Sequence, residues 1–93
     1  MRIIGTIPHP TLKISVFKAD GRVSVKFENA GYEQTYKLGA DDRFGDLDTV
    51  RRWADAILIE SVLARMADMH GSRTAADARA FPVVAETEFE EIL

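Results

Sequence analysis

Leu12-Lys13-Ile14-Ser15-Val16-Phe17-Lys18-Ala19-Asp20-Gly21-Arg22-Val23-Ser24-Val25-Lys26-Phe27-Glu28 is the stretch that decides the fold. Two alternating runs flank Asp20-Gly21, a dipeptide that accepts the positive φ angles of a type I′ turn, whose twist suits a β-hairpin. A two-residue turn there pairs residues whose numbers sum to 41, so Val16 faces Val25 and Ile14 faces Phe27. Side chains alternate with period two, which gathers Leu12, Ile14, Val16, Val23, Val25 and Phe27 on one face. Lys13, Ser15, Phe17, Arg22, Ser24, Lys26 and Glu28 fall on the other. Turn chemistry and hydrophobic pattern reach the same register independently.

A third alternating run, Tyr32–Leu38, follows the turn signal Asn29-Ala30-Gly31. Tyr36 and Leu38 join the buried face if the second hairpin pairs residues summing to 61, which needs an even-length loop, Ala30-Gly31 or Asn29–Tyr32. Val25 then faces Tyr36 and Val23 faces Leu38. Glu28 meets Glu33, and Lys13 lies across from Glu28 to offset that repulsion. Upstream, Ile3, Ile4 and Ile7 make Ile3–Ile7 a candidate extra strand, with Pro8 and Pro10 marking an edge or bend.

After Gly39 the period changes to that of a helix. Asp46 is the expected N-cap, Asp48 suits the positive end of the helix dipole, and the helix is expected from Leu47 to about His70, with Gly71 as the C′ residue. Its apolar positions form two faces. Leu47, Val50, Ala54, Ile57, Leu58 and Ser61 are expected to cover the sheet. Ile59, Val62, Leu63 and Met66 lie roughly opposite. One sheet needs one apolar helix face, so the second is assigned as an interface, either to the chain's own C-terminal segment or, as the favoured reading, to a second copy in a homodimer. Arg73–Ala80 reads as a short further helix stopped by Pro82. Residues 1–81 are read as one domain and 82–93 as an acidic C-terminal tail.

The chain has 93 residues, 46% of them hydrophobic and 29% charged, within the range of an ordinary small globular domain. Its net charge of −3 is uneven: residues 1–45 carry +2, residues 46–81 carry −1 and residues 82–93 carry −4. A strongly basic nucleic-acid footprint is excluded. With no cysteine, disulfides, thiolate zinc sites and thiol nucleophiles are excluded. No secretory h-region opens the chain and no run is long enough for a membrane span, so a cytoplasmic location and no membrane partner are expected.

Catalytic patterns are missing. His9 sits between prolines, and His70 reads as a cation near a helix C-terminus. Asp41, Asp42, Asp46 and Asp48 are closely spaced, but not as an EF-hand loop, and a capped loop accounts for them. No phosphate-cradling glycine loop or nucleophile elbow is present. No enzyme activity, cofactor or metal is expected. The outward face of the sheet supplies the alternative to self-association, a nucleic-acid-binding module. There, Ser15, Lys26 and Thr35 form one row, Phe17, Ser24 and Lys37 the next, with Arg22 beyond, so that Phe17, Arg22, Lys26 and Lys37 are the candidate contacts. The fold expected is α+β: a three-stranded antiparallel meander against one long helix, then a short helix and the tail.

Overall fold

Asp20 and Gly21 have φ angles of 51° and 75°, the pair of positive values a type I′ turn requires. From that turn the first hairpin pairs Ala19 with Arg22 through to Lys13 with Glu28, every pair summing to 41. A computed structural model describes residues 1–82 of the chain. They form β1 (Arg2–Ile7), β2 (Lys13–Ala19), β3 (Arg22–Glu28), β4 (Glu33–Gly39), a 3-10 turn (Asp42–Phe44), α1 (Leu47–Trp53) and α2 (Ala56–Ala80). The four strands make one antiparallel sheet in the order β1-β2-β3-β4, and the fold is α+β.

The second hairpin pairs Ser24 with Lys37, Val25 with Tyr36 and Glu28 with Glu33, all summing to 61. Asn29 closes its four-residue loop: its side-chain oxygen accepts from the Gly31 and Tyr32 N–H groups at 2.9 and 2.8 Å, and its own N–H donates to the Tyr32 carbonyl. One pairing departs from expectation. The register slips between Val23 and Ser24, so Val23 faces Gly39 rather than Leu38. Gly39 has φ of 76°, which a glycine adopts freely and which ends the strand in a bulge.

The sheet has four strands rather than three. Arg2–Ile7 is a full edge strand on β2, and a bulge at Ile4 carries the pairing from Ile3↔Phe17 to Gly5↔Val16. That extra residue reverses parity. Ile3 therefore stands on the outer face beside Phe17, while Gly5 and Ile7 face the core.

The helical half differs from expectation in three ways, the first two tracing to Ala54-Asp55 and the third to Gly71. The helix breaks there. Asp55 caps a new helix, its side chain accepting from the Leu58 N–H at 2.8 Å, as Asp46 caps α1 by accepting from Thr49 N–H at 2.8 Å. The break resets the helical phase. Val62 and Met66, expected on a face left uncovered, are buried in the core under α2 at 0% and 4% exposure. Ile57, expected to cover the sheet, is 74% exposed. Finally, α2 does not end at His70. It runs through Gly71 to Ala80 as one helix of 25 residues, so Arg73–Ala80 belongs to it rather than to a separate helix, and His70 sits inside it.

The core is the inner sheet face plus these helices: Leu12, Ile14, Val16, Val23, Val25, Phe27, Val50, Ala54, Val62 and Met66. Beside it an edge-to-face series runs Phe27–Tyr36–Trp53–Phe44, with ring centroids 5.8, 5.5 and 6.0 Å apart, favoured aromatic geometry.

Candidate interaction surfaces

The surface of α2 carries the first candidate. Its first half is fastened to β4 and to the loop before it. Gln34 Nε2 donates to the Val62 carbonyl at 2.8 Å, Arg65 Nη1 to the Tyr36 hydroxyl at 3.1 Å, and Tyr32 and His70 share a hydrogen bond at 2.9 Å. Every residue from Gly71 to Ala80 is exposed. At 1.5 Å per residue this is an arm of about 15 Å with no sheet beneath it. Of the four residues expected to form an interface, Val62 and Met66 are spent on the core, Ile59 is half-buried against it, and Leu63 is 38% exposed. Phe81, the C-cap of α2, is 76% exposed, and its N–H still bonds the Asp77 carbonyl at 2.8 Å.

Leu63 and Phe81 are 18 residues apart, about 27 Å along the α2 axis, with Phe81 immediately past the last helical residue. Sequence reading grouped Phe81 with the C-terminal apolar residues that could fold back, rather than at the end of the long helix, because it treated Gly71 as a helix end. It missed the break because Asp55 also fits an exposed helix position; the available signal was an aspartate directly ahead of the apolar run Ile57-Leu58-Ile59.

The outer face of the sheet is the second candidate. Thr6, Ser15, Lys26 and Thr35 form one row across all four strands, and Ile3, Phe17, Ser24 and Lys37 the next. Lys26 Nζ lies 5.4 Å from the Phe17 ring centroid and 3.5 Å from Glu28 Oε1, so Lys26, rather than Lys13, is the ion-pair partner of Glu28. Ser15 is 1% exposed, and its Oγ has no hydrogen-bond partner among the described residues. Toward the Asp20-Gly21 turn, Met1, Phe17, Asp20, Arg22, Ser24 and Lys37 line a depression of about 320 Å³ together with Ala19. The four residues assigned to nucleic acid thus lie on one face, three of them around one depression.

A third feature is an open groove of about 520 Å³ between β4 and α2, lined by Tyr32, Gln34, Arg65, Asp68, Met69 and Ser72. Elsewhere the polar groups are used locally. His9 Nδ1 accepts from the Thr11 and Leu12 N–H groups at 3.2 and 3.1 Å. Asp41 takes a two-nitrogen grip from Arg43, with Nη2 at 2.7 Å, which holds its pKa below the ordinary carboxylate value. Asp46 is lowered too, first by the Thr49 backbone N–H. Among the described residues no three of His, Asp and Glu converge as a metal site would require, and no helix is long and apolar enough to cross a membrane. The expected tail lies, from residue 83, outside the described residues.

Compared with known proteins, the chain matches no family model, no curated protein and no solved structure.

Proposed function

We propose that this chain is a non-catalytic assembly module that pairs with a second copy of itself through α2. The single observation behind this reading is the exposed arm of α2, with exposed Phe81 at its end and exposed Leu63 about two turns before its start. Ten residues of free helix contribute nothing to burying the sheet, and short helices hold poorly in water without tertiary contacts. Large apolar side chains grouped on an element that projects from a domain mark an interaction site.

A two-fold axis is the commonest symmetry for such a contact, and it makes facing residues reciprocal. Two α2 helices crossing antiparallel about Ser72 pair residues whose numbers sum to 144. Leu63 of each copy then meets Phe81 of the partner subunit, and between them the same register sets His70 against Thr74 of the partner subunit and Ala67 against Asp77 of the partner subunit. Each large side chain covers the other at both ends of the contact.

Light scattering across a concentration series tests the reading, with a dimer expected. Leu63→Asp and Phe81→Asp are each expected to give a folded monomer by far-UV circular dichroism. Because the chain has no cysteine, single L63C and F81C variants can be mixed and oxidised. A disulfide-linked heterodimer forming far faster than either homodimer is the expected product. A strict monomer at high concentration removes the proposal.

A further inference from the structure

The outer face of the sheet carries two observations that self-association through α2 does not use. One is Ser15, almost wholly buried on that face with its hydroxyl unpartnered among the described residues. Buried polar atoms nearly always have partners, and an orphan calls for an explanation. The other is the depression between Phe17, Arg22, Ser24 and Lys37. Arg22 and Lys37 make no ion pair among the described residues.

We propose that this face binds single-stranded nucleic acid, a base stacking on Phe17 and its neighbouring phosphates lying on Arg22, Lys37 and Lys26. Charge complementarity selects an anionic partner. Lys13, Arg22, Lys26 and Lys37 stand on the face against Glu28 and Glu33, with Asp20 at the turn. The aromatic ring selects nucleic acid among anions, because a base offers a π-face and phosphate together. A flat sheet suits unstacked bases, and Thr6, Ser15, Ser24 and Thr35 keep it low enough for close approach.

Lys26 and Ser15 are directly paired across β2 and β3, and the Lys26 ammonium rests on the Phe17 ring. A base that takes the ring displaces the ammonium toward phosphate. Ser15, the cross-strand partner of Lys26, is the hydroxyl beside that lysine and donates its O–H to the same phosphate.

The test is fluorescence anisotropy with labelled twelve-nucleotide oligo-dT, oligo-U and a twelve-base-pair duplex, on the full chain in low salt. Both single strands are expected to bind more tightly than the duplex. With three phosphates engaged, the slope of log K against log salt is expected to be about −2. Phe17→Ala is expected to weaken binding about tenfold or more and Phe17→Trp to preserve it. Arg22→Glu with Lys37→Glu is expected to abolish binding. Ser15→Ala is expected to weaken binding about fivefold, whereas a serine that merely fills space would leave affinity unchanged. Circular dichroism verifies that each variant is folded. No binding to either single strand at low salt overturns the proposal, as does tighter binding to the duplex or an unchanged affinity in folded Phe17→Ala. None of these outcomes bears on whether α2 self-associates.

Discussion

Gly5 and Leu47 touch so closely that a Cβ built on the glycine would lie 2.5 Å from Leu47 Cδ2. The glycine is thus a contact requirement and not a turn requirement: it lets α1 settle on β1. Gly5→Ala is expected to destabilise the fold by about 1 kcal/mol, the low end of overpacking costs, because the clash falls on the tip of the half-buried Leu47 side chain. Adding Leu47→Ala should recover part of that loss, so the double mutant falls short of the sum of the single mutants. Urea unfolding of the four proteins measures the coupling, and strict additivity would show that the two residues do not meet.

Val62 and Leu63 are neighbours in sequence with opposite fates. Val62→Asp places a charge under the sheet with no partner, and is expected to abolish cooperative unfolding, since a domain of this size holds only about 5–15 kcal/mol in reserve. Leu63→Asp should cost less than about 1 kcal/mol in the monomer. Thermal melts followed by circular dichroism distinguish them, and equal losses would contradict the phase of α2.

Gly21 has φ of 75° and nothing within 4 Å of the position its Cβ would take. Gly21→Ala therefore tests the backbone alone. It is expected to cost about 1 kcal/mol, with Gly21→Asn costing less because asparagine visits the left-handed region more readily. Equal stability of all three proteins would rule out the strained turn as the source of the register.

Asp46 gives a pH signature. Its pKa is lowered chiefly by the Thr49 backbone N–H it accepts, so its charged form is favoured in the folded state. That contribution is complete above the unfolded carboxylate value of about 3.9 and is lost as pH falls through the lower folded value. Asparagine caps helices comparably but carries no charge. The stability gap between the native chain and Asp46→Asn is expected to be constant from pH 7 to about 5 and to shrink below about 4. Urea midpoints at four pH values follow it, and a gap that widens in acid contradicts the sign.

The hairpins were legible because two independent signals coincide in each. Asp20-Gly21 sets one register and the buried alternation sets the same one; Asn29-Ala30-Gly31 and the face of Tyr36 do so for the next. The helix lacked a second signal. Neither glycine nor proline stands at Ala54-Asp55, so a continuous helix fitted the pattern up to the point where phase mattered, and Val62 and Met66 were assigned outward. Gly71 misled in the other direction, since a glycine within a helix is tolerated at about 1 kcal/mol. Of the outer-face residues, the row positions followed from the register, whereas the burial of Ser15 at 1% exposure depends on how neighbouring side chains lie, which spacing does not encode.

The break between the two helices has a consequence for how the sheet is guarded. Leu47 in α1 closes over β1, while Gln34, Tyr36 and Tyr32 tie β4 and its preceding loop to α2. Each edge of the meander has its own latch, Leu47 over β1 and the α2 hydrogen bonds at β4, where Trp53 of α1 also packs on Tyr36. The β1 edge rests on the fewer contacts, so amide exchange along β1 should follow a separate, easier opening than along β4.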